Sequence, residues 1–148
     1  MVYIGCDPGK DGAMAIIIQG ESTIPIIPFD IHGYKNALEG IRGVAENCRC
    51  CLERVGAMPG QGVTSMFKFG ENFGFIQGLL TAYSIPYELV TPGKWKKEFQ
   101  VTGDKNSSID VCKRLFPDVS LRRTDRCKKD HDGMAEALLM AEYAKRRL

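Results

Sequence analysis

No run of apolar residues in this chain approaches the roughly 20 that a membrane-spanning helix takes. Its start, "MVYIGCDPG", lacks the basic region and long apolar stretch of an export signal. A cytoplasmic setting is therefore expected. Histidine is scarce, at two residues, and no second pair of cysteines stands at zinc-finger spacing from the Cys-x-x-Cys of "CRCC". A Cys/His metal centre is thus disfavoured. The six cysteines, Cys6, Cys48, Cys50, Cys51, Cys112 and Cys127, read as reduced structural thiols rather than a disulfide framework. Neither an internal repeat nor a low-complexity tract is apparent.

What is present fits one folded domain, 1–148. Apolar residues make up 44% and charged residues 26%, a globular balance. A chain of this length buries about two-thirds of the surface its unfolded form exposes. The net charge of +2 hides an uneven distribution: residues 94–129 hold 11 Lys/Arg against 5 Asp/Glu. "GKWKK" and "LRRTDRCKK" lie in that segment. Such an excess serves a polyanion-binding surface, because contacts to phosphates release counterions; it also occurs in solvated loops.

The first eighteen residues pose the central question, because an apolar run stops on Asp7, turns through "PGKDG" and starts again. Val2 to Asp7 and Ala13 to Ile18 predict a hairpin whose turn uses Gly9 and Gly12. Asp7 is then either a turn acid or a carboxylate delivered to a sheet edge. "STIPIIPF" carries Pro25 and Pro28 and suits only an edge strand. In "YKNALEGIRGVAE", Ala37, Leu38, Ile41, Val44 and Ala45 recur at helical spacing. A strand after that helix, "CRCCLERV", would run parallel to an earlier one and end near Glu53.

A Gly-rich loop leads to the helical pattern "MFKFGENFGFIQGLLTAY", whose Gly70, Gly74 and Gly78 form a smooth stripe able to pack on a sheet or a second subunit. "YELV" is the last expected strand, ended by Pro92. Ser107 and Asp110 supply a Ser-x-x-Asp start signal for a helix closed by Pro117. The final segment, "DHDGMAEALLMAEYAKRRL", is the strongest helix, with Met134, Ala137, Leu138, Ala141 and Ala144 on its apolar face.

If the two acid-ended strands are parallel neighbours, Asp7 and Glu53 meet at one sheet edge. Asp132 and Glu136, four apart, share a helix face, with Cβ atoms about 5–6 Å apart. Asp132 also suits a helix N-cap; Glu136 sits among Ala135, Ala137, Leu138 and Leu139 and is harder to explain that way. Four oxygen donors without a Cys/His site favour Mg²⁺ or Mn²⁺. Two such ions about 3.5–4 Å apart suit in-line phosphodiester hydrolysis. His131 is a further candidate ligand or proton carrier, and His32 a loop residue.

Four stretches together resemble the RuvC-type Holliday junction resolvases of the RNase H-like superfamily, especially the phage-encoded and chloroplast-type branches: "IGCDPGKDGAMAII", "CLERVGAMPGQG", "KFGENFGFIQGLL" and "KKDHDGMAEALLMAEYA". "VTPGKWKKEF" and "KNSSIDVCKRLFP" extend the resemblance over nearly the whole chain. It implies an α/β, RNase H-like fold with a five-stranded mixed sheet flanked by helices, and a homodimer that cuts opposed strands of a four-way DNA junction using two Mg²⁺ ions, with Mn²⁺ as a substitute. Asp7, Glu53, Asp132 and Glu136 match the family's acidic tetrad.

Bacterial members usually space the last two acids three apart, where this chain has Gly133, so the third acid stays open between Asp132, Asp130 and the neighbouring His131. Lys105 matches a basic position near the family's active site, and Lys68 a helix position near DNA. Lys10, Lys94, Lys96 and Lys97 are further candidate nucleic-acid contacts. The glycine-striped helix would be the dimer interface, and the loop "AMPGQGVTSMF" would face the junction centre. There Met58, Gln61 or Phe67 could meet unstacked bases, unless Met66, Phe67 and Phe69 are core.

The family implies a phage or bacterial source or an organellar stroma. Actin-like kinases share the acid and glycine turn but need a duplicated domain, which this chain is too short to hold. A nuclease for flaps or RNA–DNA hybrids, and a branched-DNA-binding module without catalysis, remain as alternatives.

Overall fold

The computed structural model describes residues 1–148, the side chain of Lys105 excepted. Five strands form one mixed sheet in the order β3-β2-β1-β4-β5: β1 Val2–Cys6, β2 Ala13–Ile18, β3 Ile26–Pro28, β4 Cys48–Glu53 and β5 Tyr87–Val90. The β1–β2 and β2–β3 pairs are antiparallel, while β4 lies parallel to β1 and β5 parallel to β4. The hairpin, the edge position of the proline-bearing strand and the parallel crossover agree with the sequence patterns.

Helices cover both faces. On one, α1 (Ile31–Ile41) and α2 (Val63–Ala82) bury Tyr34, Leu38, Ile76 and Leu80 against Ile4, Cys6 and Leu52. On the other, α3 (Pro92–Glu98), α4 (Lys105–Leu115) and α5 (Asp132–Arg147) pack on Ala13, Ala15, Cys51 and Val90. The strands carry apolar residues toward both faces, as a doubly covered sheet demands. No disulfide forms among the six cysteines. Among the described residues no helix is long and apolar enough to cross a membrane.

Several boundaries differ from the sequence patterns. The first helix ends at Ile41, and a 3₁₀ segment, Arg42–Asn47, takes over, leaving Val44 outward. Gly40 and Gly43 weaken helix propagation there. Helix α4 starts before Ser107. Asp104 is its cap, accepting from the Asn106 N–H at 2.9 Å, whereas the Ser107 hydroxyl accepts from the Thr102 N–H at 3.0 Å. Helix α2 begins at Val63 rather than Met66. Among the described residues no atom lies within 4 Å of where a Cβ at Gly70, Gly74 or Gly78 would stand, so the stripe is not packed on the sheet there.

The last helix sets the geometry that matters for function. It crosses β1, β2 and β4. A Cβ at Gly5 would stand 2.1 Å from the Ala137 carbonyl oxygen and 2.2 Å from the Ala141 nitrogen, so strand and helix backbones touch there. At the helix start, a Cβ at Gly133 would stand 2.1 Å from the Asp11 carbonyl oxygen in the hairpin turn. These two contacts pin the N-terminal turn of α5 beside the end of β1.

Candidate active site

The pleat and the register bring the first two acids together. Tyr3, Gly5 and Asp7 alternate toward the α5 face, as do Cys51 and Glu53. Cys6 pairs with Leu52, so the next position on each strand holds Asp7 and Glu53. Asp7 is 8% exposed, and one of its carboxylate oxygens accepts from the Gly9 N–H at 3.0 Å. It therefore serves the turn and also faces the acids of the other elements.

Asp132 and Glu136 reach the same place from α5. The helix cap is His131, whose Nδ1 accepts from the Met134 N–H at 3.2 Å, which relieves Asp132 of capping. Asp130 pairs with Lys113 instead. Of the two aspartates, Asp132 is the one whose charge acts on both Asp7 and Glu136. The tight seat of Gly133 explains the spacing of these acids. No side chain fits at 133 against Asp11 without moving backbone, so the acid falls one residue earlier.

The charges of these acids act on one another. Burial holds the Asp7 carboxyl above the ordinary range; the Gly9 N–H opposes this, and the Asp132 charge adds to it. Glu53 is pushed up to about 7, first by burial and then by Asp7, against the pull of the Trp95 N–H and Lys96. Glu136 also rises to about 7, by burial and Asp7, with Lys96 opposing and Glu53 and Asp132 adding to the rise. Carboxylates that raise one another's pKa in this way repel one another, and a cation relieves them.

Among the described residues the acids do not close into a ready-made cage of three or more ligands. Hydrated Mg²⁺ needs none, since it is held by one or two carboxylates and keeps several waters. An all-oxygen donor set of this kind fits Mg²⁺ or Mn²⁺ and not a thiolate-seeking metal.

The structure adds two residues that the motifs did not mark. Trp95, wholly buried on the short helix α3, donates its indole N–H to a Glu53 carboxylate oxygen at 2.8 Å. The Ser108 hydroxyl makes a long 3.5 Å contact to Glu136. A single tryptophan following Pro92 in "TPGKWKKEF" was the available signal for the first. Ser108 carries none that sequence spacing could single out.

The candidate DNA contacts divide. Met58 and Gln61 line a cleft of about 330 Å³ that opens beside Glu53, Arg54 and Phe69. Phe67 is 73% exposed and no part of the core, whereas Phe69 is half-buried near Gly9. Lys10 is exposed in the turn after Asp7. Lys68 pairs with Glu71 at 2.9 Å on the exposed start of α2. Lys94 and Lys97 border a separate cleft with Tyr143 and Arg147. Lys96 belongs with the acids. Lys105 begins α4, and its side chain lies outside the described residues.

RuvC of Thermus thermophilus in complex with a Holliday junction substrate superposes with a TM-score of 0.58 at 12% identity, covering 99% of this chain and 97% of that one. A second Thermus thermophilus RuvC structure gives 0.56 at 16% identity, covering 99% and 96%. The chain has a RuvC-like fold. No protein-family model matches its sequence, and no curated protein does. The RuvC-like architecture thus rests on the arrangement of strands and helices over nearly the full length of both chains.

The raised carboxyls carry a stability signature. A carboxyl whose folded pKa exceeds its unfolded value contributes stability below the unfolded pKa and loses it as pH rises through the folded one. For Glu53 and Glu136 that window runs from 4.5 to about 7. The metal-free protein should therefore melt about 5–10 °C lower at pH 8 than at pH 5. Added Mg²⁺ or Mn²⁺ should recover most of that loss at pH 8 and little at pH 5. Thermal melts in chelator and in either ion check this, and a melting point that is flat or rising across the window contradicts it.

Proposed function

We propose that the protein is a structure-selective DNA endonuclease that resolves four-way junctions by metal-dependent phosphodiester hydrolysis, making paired symmetric nicks. The convergence of Asp7, Glu53, Asp132 and Glu136 at one sheet edge carries this reading, and the RuvC-like fold supports it. The four acids would hold two Mg²⁺ or Mn²⁺ ions, which supply an activated water and stabilise the leaving oxygen.

The chain's own residues have distinct tasks. Trp95 holds one Glu53 oxygen and leaves the other free to act. The Gly9 N–H orients Asp7. Met58 and Gln61 line a cleft next to Glu53, a position from which to meet a base beside the cut phosphate. Lys10, Lys68, Lys94, Lys97 and Lys105 would follow the phosphate backbone.

Two-fold cutting requires two sites, so the working unit in this reading is a homodimer. The glycine stripe of α2 is the candidate interface, because among the described residues no atom lies within 4 Å of where a Cβ at Gly70, Gly74 or Gly78 would stand. The deciding experiment incubates the protein with Mg²⁺ and a labelled four-way junction, with linear duplex, flap and RNA–DNA hybrid controls, and resolves the products on a denaturing gel. Paired nicks on opposed junction strands are expected. Preferential cutting of a hybrid or flap, or no cutting at all, would overturn the reading.

A further inference from the structure

Between α4 and α5 the chain forms no helix or strand over residues 118–130, yet it is tied down at several points. Leu121 is buried in the core on the α5 face, and Val119 packs against the same core. The Leu121 carbonyl accepts from the His131 N–H at 2.7 Å, which closes the residues between them into a compact loop. Within it, the Thr124 carbonyl accepts from the Cys127 N–H at 3.1 Å and makes a turn. Asp130 is held by Lys113 of α4. One end of the loop is thus fixed in the core, and the other at the His131 cap of the helix that carries Asp132 and Glu136.

Between those anchors stand Arg122, Arg123, Arg126, Lys128 and Lys129, all exposed, against one acid, Asp125. None of the five cations forms an ion pair among the described residues, unlike Lys35, Lys68 and Lys113. Like charges crowded onto a short loop repel one another, and an anion from outside the chain relieves them. The loop also exposes no large apolar side chain, since Leu121 is buried. A protein partner would need an apolar or aromatic centre to its interface, whereas a phosphate backbone needs spaced cations and hydrogen-bond donors. Both are here. Arg122 and Arg123 border a cleft of about 390 Å³ with Ser22 and Thr23, and Lys128 and Lys129 border one of about 340 Å³ with Asn106.

We propose that the closed loop 122–129 is a docking surface for the phosphate backbone of a DNA duplex arm, attached through His131 to the helix of the candidate metal ligands. It rests on the nuclease reading for the kind of nucleic acid and deepens it, because the lysines assigned there to the backbone lie on other elements. A loop anchored at both ends meets DNA with less ordering cost than a free one. Each phosphate it neutralises releases counterions, so its share of the affinity must fade as salt rises.

The test measures DNA affinity from about 50 to 200 mM salt, with Ca²⁺ in place of Mg²⁺, on a labelled four-way junction and on linear duplex. Three double variants are compared, each checked by its melting point: Arg122→Gln with Arg123→Gln, Lys128→Gln with Lys129→Gln, and Lys35→Gln with Arg42→Gln on α1 as a control of equal charge. Each loop variant should bind roughly tenfold more weakly at the low-salt end and lower the slope of log affinity against log salt by about 1–2. The loss should appear on junction and duplex alike, because an arm is itself duplex. The α1 control should match the wild type.

Loop variants that keep the wild-type slope overturn this surface and leave the nuclease reading intact. An equal loss in the α1 control also overturns it, since net charge alone would then account for the effect. A loss confined to the junction overturns the assignment to a duplex arm. A wild type that binds with the expected slope but never cuts in Mg²⁺ overturns the nuclease reading and supports the loop as a DNA surface.

Discussion

Asp7→Asn is expected to lower junction cleavage by about 10³-fold or more while junction binding survives. The same substitution should raise the melting point of the metal-free protein at pH 8. Both effects come from one property of the site. Asp7 is buried, its carboxyl is raised by that burial, and its charge adds to the burial that chiefly raises Glu53 and Glu136. Asparagine keeps the shape and an oxygen for the Gly9 N–H, but it carries no charge to bind a cation or repel its neighbours. Activity and metal-free stability should therefore move in opposite directions. Cleavage assays paired with thermal melts in chelator test this. An Asn variant that still cuts at the wild-type rate would remove Asp7 from the chemistry, and one that melts lower would contradict the account of mutual repulsion.

The second large effect is structural. Gly5→Ala should destabilise the protein by about 3 kcal/mol or more, the upper end for overpacking, and much of the chain should become insoluble. The added methyl group would stand 2.1 Å from the Ala137 carbonyl oxygen and 2.2 Å from the Ala141 nitrogen. These are backbone atoms of a buried helix, so no flexible side chain can yield. Gly74→Ala makes the contrast, since nothing lies within 4 Å of its would-be Cβ. Alanine there should raise the stability of the single chain by about 0.5–1 kcal/mol through helix propensity. Denaturant titrations of the two variants measure the difference. A Gly5→Ala protein as stable as the wild type would mean that α5 can lift off β1 without penalty.

The sheet and the acids were legible in the sequence to different depths. Short apolar, β-branched runs on either side of the Pro-Gly turn identify β1 and β2, because composition and turn glycines are local signals that need no knowledge of neighbouring strands. Pro25 and Pro28 mark the edge for a similar reason, since a missing N–H is a property of one residue. Helix starts were less secure. Asp104 and Ser107 both carry capping oxygens, and the backbone path through Thr102 decided between them. The helix α3 was hidden because seven residues dominated by lysine have no apolar period to detect.

From the sequence alone, the chain carries an acid just after its first strand, a second after a crossover strand, and two more a helical turn apart near its end. Residue order and local periodicity suffice for that much. Only the tertiary structure decided that these acids act on one another's charge, that His131 rather than Asp132 caps the last helix, that Asp130 is taken by Lys113, and that the charge of Lys96 acts on three of the acids while Lys94 and Lys97 border a separate cleft. Apart from the local His131 cap, those outcomes depend on contacts between residues well separated in the chain, as where backbones touch at Gly5 and Gly133. Burial and mutual charge arise from such contacts, and no pattern along the chain encodes them.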